Sequence, residues 1–248
     1  MPIAVALIIL AVSFVTSFIS GIFGMAGGLI LMGVLAALVP VASAMIIHGA
    51  LQMAANGWRA WLLRGDIDWT VFRRYAAGSM VGVAALLLVS WQPDKRALYL
   101  LLGLTPLLVW LPRERLDLDI QRPLHAYGAG AGVQALNTLA GVAGPLLDLF
   151  FVRTEMTRQQ IVATKSVTQT LAHLVKIAFW SVPIVSAAGV AALPPAWFIL
   201  AAIPIAMSGT WLGGLVLHRM NDVNFKAWMK GLVTVIGCVY LLRAAGLY

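Results

Sequence analysis

Hydrophobic residues follow one another along this chain in long runs that contain few charges. Seven such runs lie between short polar segments, at residues 2–40, 42–63, 75–91, 97–111, 124–152, 159–188 and 196–217. Most of them are near or above the roughly 20 residues with which an α-helix crosses the hydrocarbon core of a bilayer. The alternating strands of an outer-membrane barrel are not part of the pattern. We therefore expect an all-α polytopic membrane protein.

Two of these runs contain a glycine-rich interruption. Residues 2–40 carry no charge, and as one helix they would be about 60 Å long, roughly twice the thickness of a bilayer core. The sequence GIFGMAGG at residues 21–28 places four glycines in eight positions, which is poor helix material. GVAGP at residues 141–145 interrupts the run 124–152 in the same way. We expect both runs to double back, as re-entrant hairpins or as pairs of short passes.

Composition extends the membrane prediction to the whole chain. The 248 residues are 61% hydrophobic and 10% charged, whereas soluble domains are about half apolar and about a quarter charged. This predicts a single transmembrane domain over residues 1–248. The net charge of +8 comes from bases in short loops, so no nucleic-acid partner is expected. The single cysteine, Cys238, excludes a disulfide framework and a cysteine metal site.

Loop charges predict how the helices are oriented. Basic residues concentrate in segments 59–74, 112–122 and 218–226, which the positive-inside rule places in the cytoplasm. Segment 181–195 has no charge and suits an external loop, and the turn at 94–96, which fits the rule less well, must also be external. If each interrupted run returns to the face it left and three transmembrane helices follow, the two halves have opposite orientations. We expect a multi-pass protein of the inner membrane with both termini external.

The two glycine segments mark an internal repeat. Aligning GMAGGL at residues 24–29 with GVAGPL at residues 141–146 fixes an offset of 117 residues. This divides the chain into repeat one, residues 1–115, and repeat two, residues 122–248. The offset superimposes four pairs of polar residues, namely His48 on Lys165, Gln52 on Gln169, Asn56 on His173 and Arg59 on Lys176. The predicted fold class is therefore two inverted-topology repeats, each with a glycine-broken first helix.

The superimposed polar residues form one stripe in each repeat. Residues at i, i+4, i+8 and i+11 lie within about 80° of one another on an α-helix. Ionisable groups at membrane depth usually face the protein interior or a water-filled cavity, so we expect the two stripes to line a shared cavity. Arg59 and Lys176 stand at the ends of the stripes, where we expect their long side chains to reach the membrane interface, with a role in the site as the alternative.

The chemistry of the stripes and of the glycine segments favours an anion. A broken helix presents unpaired N–H groups and a partial positive charge at its start, and glycine lets a ligand approach the backbone closely. The residues expected to bind the substrate are Gly24, Gly27, Gly28, His48, Gln52, Asn56, Gly141, Gly144, Lys165, Gln169 and His173. Asp148 is the carboxylate expected at membrane depth, where it can pair with Lys165, carry a coupling proton, or pair with Arg153 at the interface. We expect neither a metal nor a cofactor.

Other glycines and the tryptophans have simpler interpretations. Gly78 with Gly82, and Gly209 with Gly213, have the small-xxx-small spacing that lets membrane helices approach closely. The nine tryptophans fall mostly near the ends of predicted helices, where aromatic side chains anchor a protein at the lipid–water interface. We expect helix packing from these four glycines and anchoring from the tryptophans.

These features together resemble the TauE/SafE family of sulfite and organosulfonate exporters. The resemblance rests on SGIFGMAGG after an apolar N-terminal helix, on its weaker copy LAGVAGP, and on HGALQMAANGWRA before a short basic loop. It covers essentially the whole chain as two repeats. It implies a secondary transporter that moves a small sulfur-containing anion, such as sulfite, sulfoacetate or another organosulfonate, with export as the expected direction. Met25, Ala26 and Pro145 depart from the fuller glycine runs that are common in the family.

Other functions stay open on the sequence alone. His48 and His173 also suggest a divalent-metal permease, although the further ligands that such sites usually gather are lacking. An anion channel fits the same polar stripes as a carrier does. No paired-aspartate, GxSxG or HExxH motif occurs, so an enzyme is not expected. The expected partners are a small anion, the lipid bilayer and a coupling ion such as a proton, and a homodimer is one option for the assembly.

Overall fold

The computed structural model describes residues 2–23, 25–89, 91–112, 115–217 and 222–247. Its helices are α1 (Ile3–Phe23), α2 (Met25–Leu38), α3 (Val41–Leu62), α4 (Trp69–Val89), α5 (Lys95–Trp110), α6 (Pro123–Ala140), α7 (Gly144–Leu149), α8 (Arg158–Ala188), α9 (Ala196–Leu217) and α10 (Asp222–Ala244). No strand occurs in the described residues, which confirms the all-α prediction for them. Gly24, one of the expected binding residues, and residues 218–221 of a predicted basic loop lie outside the described residues.

Four of the described helices are long and apolar enough to cross a membrane, by length and composition. They are the segments Ile3–Ile22, Trp69–Val89, Arg158–Ala188 and Ala196–Val216. Large apolar side chains also cover the outer surface, for example Leu88 with 87% of its surface exposed. Such a surface is stable against lipid and costly against water. The prediction of a multi-pass membrane protein is confirmed.

Polar residues at helix boundaries define where several helices begin. The Thr157 hydroxyl accepts from the Gln160 N–H at 3.3 Å, and the Gln160 side chain accepts from the Thr157 N–H at 2.9 Å. This capping box starts α8. The Asp94 carboxylate accepts from the Ala97 N–H at 2.8 Å and caps α5. Pro123 lies in the first turn of α6, where its missing N–H breaks no helical hydrogen bond.

The first glycine segment reverses the chain. α1 ends at Phe23 and α2 begins at Met25. Gly27 lies so close to α1 that a Cβ atom there would be 1.8 Å from the Thr16 carbonyl oxygen. On one straight helix the eleven residues between these positions would separate them by about 16 Å, so α2 folds back along α1. Position 27 requires glycine because any side chain would collide with the α1 backbone.

The second glycine segment also reverses the chain. α6 ends at Ala140 and is capped by Gly141, whose φ of 78° is left-handed and whose N–H donates to the Asn137 carbonyl at 2.9 Å. The short helix α7 follows, and the chain then returns to the start of α6. There the Ile120 N–H donates to the Phe150 carbonyl at 2.7 Å. This hairpin therefore ends at the face of the bundle where it began.

Four helix pairs make the most extensive contacts among the described residues: α1 with α9, α4 with α6, α3 with α8, and α5 with α10. Glycines bring the first two pairs together. A Cβ atom on Gly78 would lie 2.0 Å from the Tyr127 carbonyl oxygen, and one on Gly213 would lie 2.2 Å from that of Phe18. The other glycine of each pair, Gly82 or Gly209, approaches the same neighbouring helix as its partner does. The expectation that these four glycines pack helices is confirmed.

Candidate functional site

α3 and α8 pack against each other and carry most of the expected polar residues. They run antiparallel, because Gly49 lies beside Ile177 and Gly57 lies beside Thr170. An antiparallel pair places the start of the α3 stripe beside the end of the α8 stripe. His48 at the start of its stripe therefore meets residues late in α8.

A series of hydrogen bonds joins the two glycine segments through these helices. His48 Nε2 lies 3.1 Å from the Gly28 carbonyl oxygen in α2. Lys176 Nζ lies 2.9 Å from His48 Nδ1 and donates to the Gly141 carbonyl oxygen, also at 2.9 Å. The hydrogen bonds thus run from the first hairpin, through α3 and α8, to the second hairpin. His48, Lys176 and the adjacent His173 are called the basic cluster below.

The acceptors around His48 determine where its protons lie. A carbonyl oxygen can only accept, so Nε2 carries a hydrogen and donates to Gly28. In a neutral ring Nδ1 is then a lone pair, which accepts from Lys176 Nζ. Both ring nitrogens of neutral His48 are therefore satisfied, and Lys176 donates two hydrogen bonds.

The basic cluster is closed off from solvent. The exposed fraction is 0% for Lys176, 1% for His48 and 4% for His173. Within the described part of the chain, no carboxylate lies within ion-pair distance of Lys176. A buried ammonium group without a counter-charge is costly, so this position favours an anionic ligand.

The expectation that Lys176 reaches the membrane interface is wrong. α8 extends from Arg158 to Ala188, so it continues for three more turns beyond Lys176. The side chain starts near the middle of a long helix and points into the protein. Arg59, its counterpart in the repeat, does lie in the last turn of its own helix, α3. The two superimposed positions therefore differ in depth because α8 is longer than α3.

Two further residues of the α8 stripe lie at the basic cluster. The ring centroid of His173 is 5.7 Å from that of His48. Gln169 lies one helical turn before His173 on the same face. Among the described residues, His173 Nδ1 and Gln169 Nε2 are buried without a hydrogen-bond partner. Burying a polar atom without a hydrogen-bond partner costs free energy, and a ligand that bonds to the atom removes this cost. Both atoms are therefore candidates for ligand contact.

Gln52 and Asn56 continue the stripe on α3. A Cβ atom on Gly28 would lie 3.3 Å from Gln52 Nε2 and 3.6 Å from His48 Nε2, so both side chains lie against the first glycine segment. The Asn56 side-chain amide donates to the Gln52 backbone carbonyl at 2.9 Å. The structure thus brings Gln52 and His48 together at Gly28 and shows Asn56 bonded to its own helix.

Lys165 lies in a second cluster, where its ammonium group forms an ion pair with the Asp148 carboxylate of α7. The side chains are 31% and 19% exposed, respectively. Eleven residues separate Lys165 from Lys176, which is about 16 Å along the helix. The expected α8 stripe is therefore divided between an ion pair near the start of α8 and the basic cluster near its middle.

Sequence reasoning missed two amide residues of α6 that lie at the basic cluster. Gln134 and Asn137 are fully buried and donate to the Ala172 carbonyl oxygen, at 3.2 and 3.0 Å. Their side-chain oxygens have no partner among the described residues. Because Ala172 precedes His173 in α8, these hydrogen bonds place both amide groups beside the cluster. The available signal was two amides three residues apart in a helix that is otherwise mostly small or apolar.

Trp180 belongs to the same contact between α6 and α8. Its indole N–H donates to the Thr138 carbonyl at 2.9 Å, and the side chain is 3% exposed. Interfacial anchoring, which was expected of the tryptophans, is therefore wrong for Trp180. Position 180 lies well inside a 31-residue helix, and a buried indole N–H needs an acceptor there.

The glycine segments contribute carbonyl oxygens to the described contacts, whereas N–H groups at helix starts were expected. The carbonyls of Gly28 and Gly141 accept the hydrogen bonds of the basic cluster. Gly27 serves the close approach to α1, and Gly144 begins α7. A Cβ atom on Gly141 would lie 2.1 Å from Met32 Cε of α2, so the two hairpins also touch directly.

The arrangement around the histidines does not suit a metal ion. Among the described residues, no three His, Cys, Asp or Glu side chains come together in one place. The two nitrogens of His48 are engaged with Gly28 and Lys176. A metal ion needs a free nitrogen lone pair. The lone pair of His48 Nδ1 is not free, because it faces the Lys176 side-chain nitrogen.

Comparison with known proteins identifies a family. The family model for sulfite exporter TauE/SafE matches residues 9–240 of the chain. No curated protein and no solved structure gives a significant match.

Proposed function

The chain belongs to the TauE/SafE sulfite exporter family, and from this premise we propose that it carries a small sulfur-containing anion across the inner membrane. Sulfite, sulfoacetate and other organosulfonates are the proposed substrates, and export is the proposed direction. The basic cluster between the two hairpins is the proposed binding site. The protein acts as a membrane transporter and not as an enzyme.

The environment of Lys176 carries this proposal. Its ammonium group is fully buried, donates to His48 and Gly141, and has no carboxylate nearby among the described residues. Burial of an uncompensated charge costs several kcal/mol in a membrane protein, typically about 2.5–3.5 kcal/mol on insertion scales. A small anion supplies the missing charge. His173 Nδ1 and Gln169 Nε2 supply unpartnered polar atoms for its oxygens.

We further propose that the two halves are inverted repeats that rock around this site. The helix pairing supports this, since exchanging the halves turns the α1–α9 pair into the α6–α4 pair and leaves the α3–α8 and α5–α10 pairs unchanged. Transporters built in this way place substrate near the repeat interface and expose it to each side in turn. We propose that the closed site, in which the basic cluster is buried, is the occluded step of that cycle.

The same burial favours a carrier over an anion channel. A channel needs a continuous wet path, whereas Lys176, His48 and Trp180 are each less than 5% exposed. Opening such a site to one side requires relative movement of the helices that contribute to it. We therefore propose a carrier, which moves its helices in each transport cycle, and not a channel.

Sulfite counterflow in proteoliposomes tests the proposal. Vesicles preloaded with unlabelled sulfite should accumulate labelled sulfite when they contain the wild-type protein. Lys176→Met, which keeps the length of the side chain and removes its charge, should reduce accumulation at least about tenfold, as expected for the loss of one charged hydrogen bond of 1.5–3 kcal/mol. Lys95→Met removes an exposed lysine and should transport like the wild type.

Two results would overturn the proposal. The first is the absence of counterflow with sulfite and with sulfonates. The second is wild-type counterflow by the Lys176→Met protein, since the site would then lie elsewhere.

A further inference from the structure

We propose that His48 takes up a proton when the anion binds, so that the carrier binds anion and proton together. This rests on the proposed function, and it assigns the coupling ion and the residue that holds it. Asp148, the carboxylate expected at membrane depth, is paired with Lys165 away from the basic cluster.

The hydrogen bonds of His48 define its resting state. Nε2–H donates to the Gly28 carbonyl, and Nδ1 accepts from Lys176 Nζ at 2.9 Å. A proton added to Nδ1 would face the ammonium group at that distance, and the hydrogen bond between them would be lost. The pair therefore holds at most one positive charge while no anion is bound, and His48 is neutral.

The surroundings of His48 contain no described carboxylate that could balance a second charge. α8 presents Lys176 and His173, and the second hairpin presents the carbonyl of Gly141. α2 and α9 contain no Asp, Glu, Lys, Arg or His. The nearby hydroxyl of Tyr240, from α10, donates to the Leu29 carbonyl at 2.6 Å. Among the described residues, the ionisable side chains in contact with His48 are thus basic.

An anion changes this balance. Bound beside Lys176 Nζ, it draws the ammonium group away from Nδ1 and places negative charge next to the imidazole. Two cations that repel each other at about 3 Å are then separated by an anion that attracts both. The freed Nδ1 becomes a favourable position for a proton, because the imidazolium can donate through it to an anion oxygen. Anion binding and proton uptake therefore favour each other.

Joint binding determines which forces drive transport. A monoanion that moves with one proton carries no net charge across the membrane. The membrane potential then does not act on the loaded carrier, and the direction of transport follows the combined gradients of anion and proton.

Nitrogen NMR of the histidines, together with calorimetry, tests this inference. Sulfite is titrated into purified protein whose four histidines are labelled. Calorimetry in buffers of different ionisation enthalpy reports binding and counts the protons taken up. NMR reports whether an imidazole holds the proton, as distinct from sulfite itself. One neutral imidazole that is hydrogen-bonded at both nitrogens should become an imidazolium when sulfite is added.

Two variants locate the proton. His48→Gln keeps a donor and an acceptor at this position but cannot titrate there, so the imidazolium signal should be missing. His125→Gln removes a histidine outside the cluster, which accepts from the Asp119 N–H, and should behave like the wild type. If one proton binds together with the anion, the affinity of the wild type for sulfite rises as the pH falls. For each pH unit, this rise should be about tenfold larger than in His48→Gln.

The outcomes separate the two proposals. If sulfite neither binds nor exchanges, the proposed function fails. If sulfite binds while all histidines of the wild-type protein stay neutral, the inference fails and the proposed function stands. If the imidazolium signal persists in His48→Gln, the assignment to His48 fails. If His48→Gln does not fold, the wild-type spectrum still shows whether an imidazole that is hydrogen-bonded at both nitrogens takes up the proton.

Discussion

The Nζ atom of Lys176 and the Nδ1 atom of His48 lie 2.9 Å apart, although 128 residues separate them in the chain. Each residue also reaches the backbone of one glycine segment, so the pair connects the two hairpins of the protein. A contact of this kind has a structural effect and a chemical one. It holds the two hairpins together, and it places two basic side chains where they meet.

Gln169 separates ligand binding from stability. Its Nε2 atom makes no hydrogen bond to a described residue, so Gln169→Ala should leave the melting temperature nearly unchanged. If the amide binds the anion, its loss should weaken apparent sulfite affinity by about 10–100-fold, equivalent to about 1.5–3 kcal/mol. Counterflow at several sulfite concentrations, with thermal unfolding of the same preparation, measures both. Unchanged affinity would remove Gln169 from the site.

Gly141 should not tolerate a side chain. Its φ of 78° costs other residues about 1–2 kcal/mol, and a Cβ atom would meet Met32 Cε at 2.1 Å. Gly141→Ala should therefore lower the melting temperature and, by moving the carbonyl that Lys176 uses, also reduce transport. Gly128→Ala, within the helix that Gly141 caps, is the matched control, because nothing lies within 4 Å of a Cβ there. Equal behaviour of the two variants would contradict this account of the hairpin.

The Asp148–Lys165 ion pair should matter through its charges and not through the identity of each residue. Asp148→Asn leaves a partly buried ammonium group alone, which should cost about 1–3 kcal/mol, between the values for exposed and buried pairs. Exchanging the two residues, Asp148→Lys with Lys165→Asp, should recover part of the lost melting temperature. Thermal unfolding of the single and double variants measures this. A double variant less stable than either single variant would count against a direct pair.

An exposed ion pair provides the comparison. Arg122 donates to Asp117 at 2.7 Å on the surface, and this hydrogen bond lowers the pKa of the Asp117 carboxyl. Stability from such a pair is present above the ordinary pKa of the carboxyl and is lost as the pH falls through the lowered value. Because water screens the charges, Asp117→Asn should change the melting temperature much less than Asp148→Asn.

Adjacent glycines in α9 test the packing of α1 against α9. A Cβ atom on Gly213 would lie 2.2 Å from the Phe18 carbonyl oxygen, whereas nothing lies within 4 Å of one on Gly214. Gly213→Ala should destabilise the protein by about 1–3 kcal/mol through overpacking. Gly214→Ala should be neutral or slightly stabilising, since alanine favours helix by about 1 kcal/mol over glycine. Similar melting temperatures for both variants would show that α1 and α9 are not held this closely.

The sequence was most informative about where the helices lie. The run 159–188 predicts α8 to within one residue, and the run 196–217 coincides with α9. Both are long apolar segments whose ends are marked by polar or proline residues, so composition alone defines them. α10 was not among the seven apolar runs, because Asp222, Lys226 and Lys230 reduce the hydrophobicity of its first turns.

The site was harder to predict because it depends on how deep each side chain lies and on the relative direction of the two helices. His48 and His173 were found from the repeat, which identifies equivalent positions in two helices. The repeat does not reveal that α3 and α8 run antiparallel, which brings His48 to Lys176 and leaves Lys165 with Asp148. Nor does it give the depth of Lys176, which follows from the length of α8. Such relationships between helices appear only in three dimensions.

The proposed anion site lies beside Lys176, between the two hairpins. Selenite, the heavier analogue of sulfite, scatters X-rays anomalously and can be located in crystals of the protein soaked with it. The account predicts an anomalous peak within hydrogen-bond distance of Lys176 Nζ and near His48 and Gln169, and no such peak in Lys176→Met crystals. A peak beside Lys165 with none at Lys176, or a peak that persists in Lys176→Met, would contradict it.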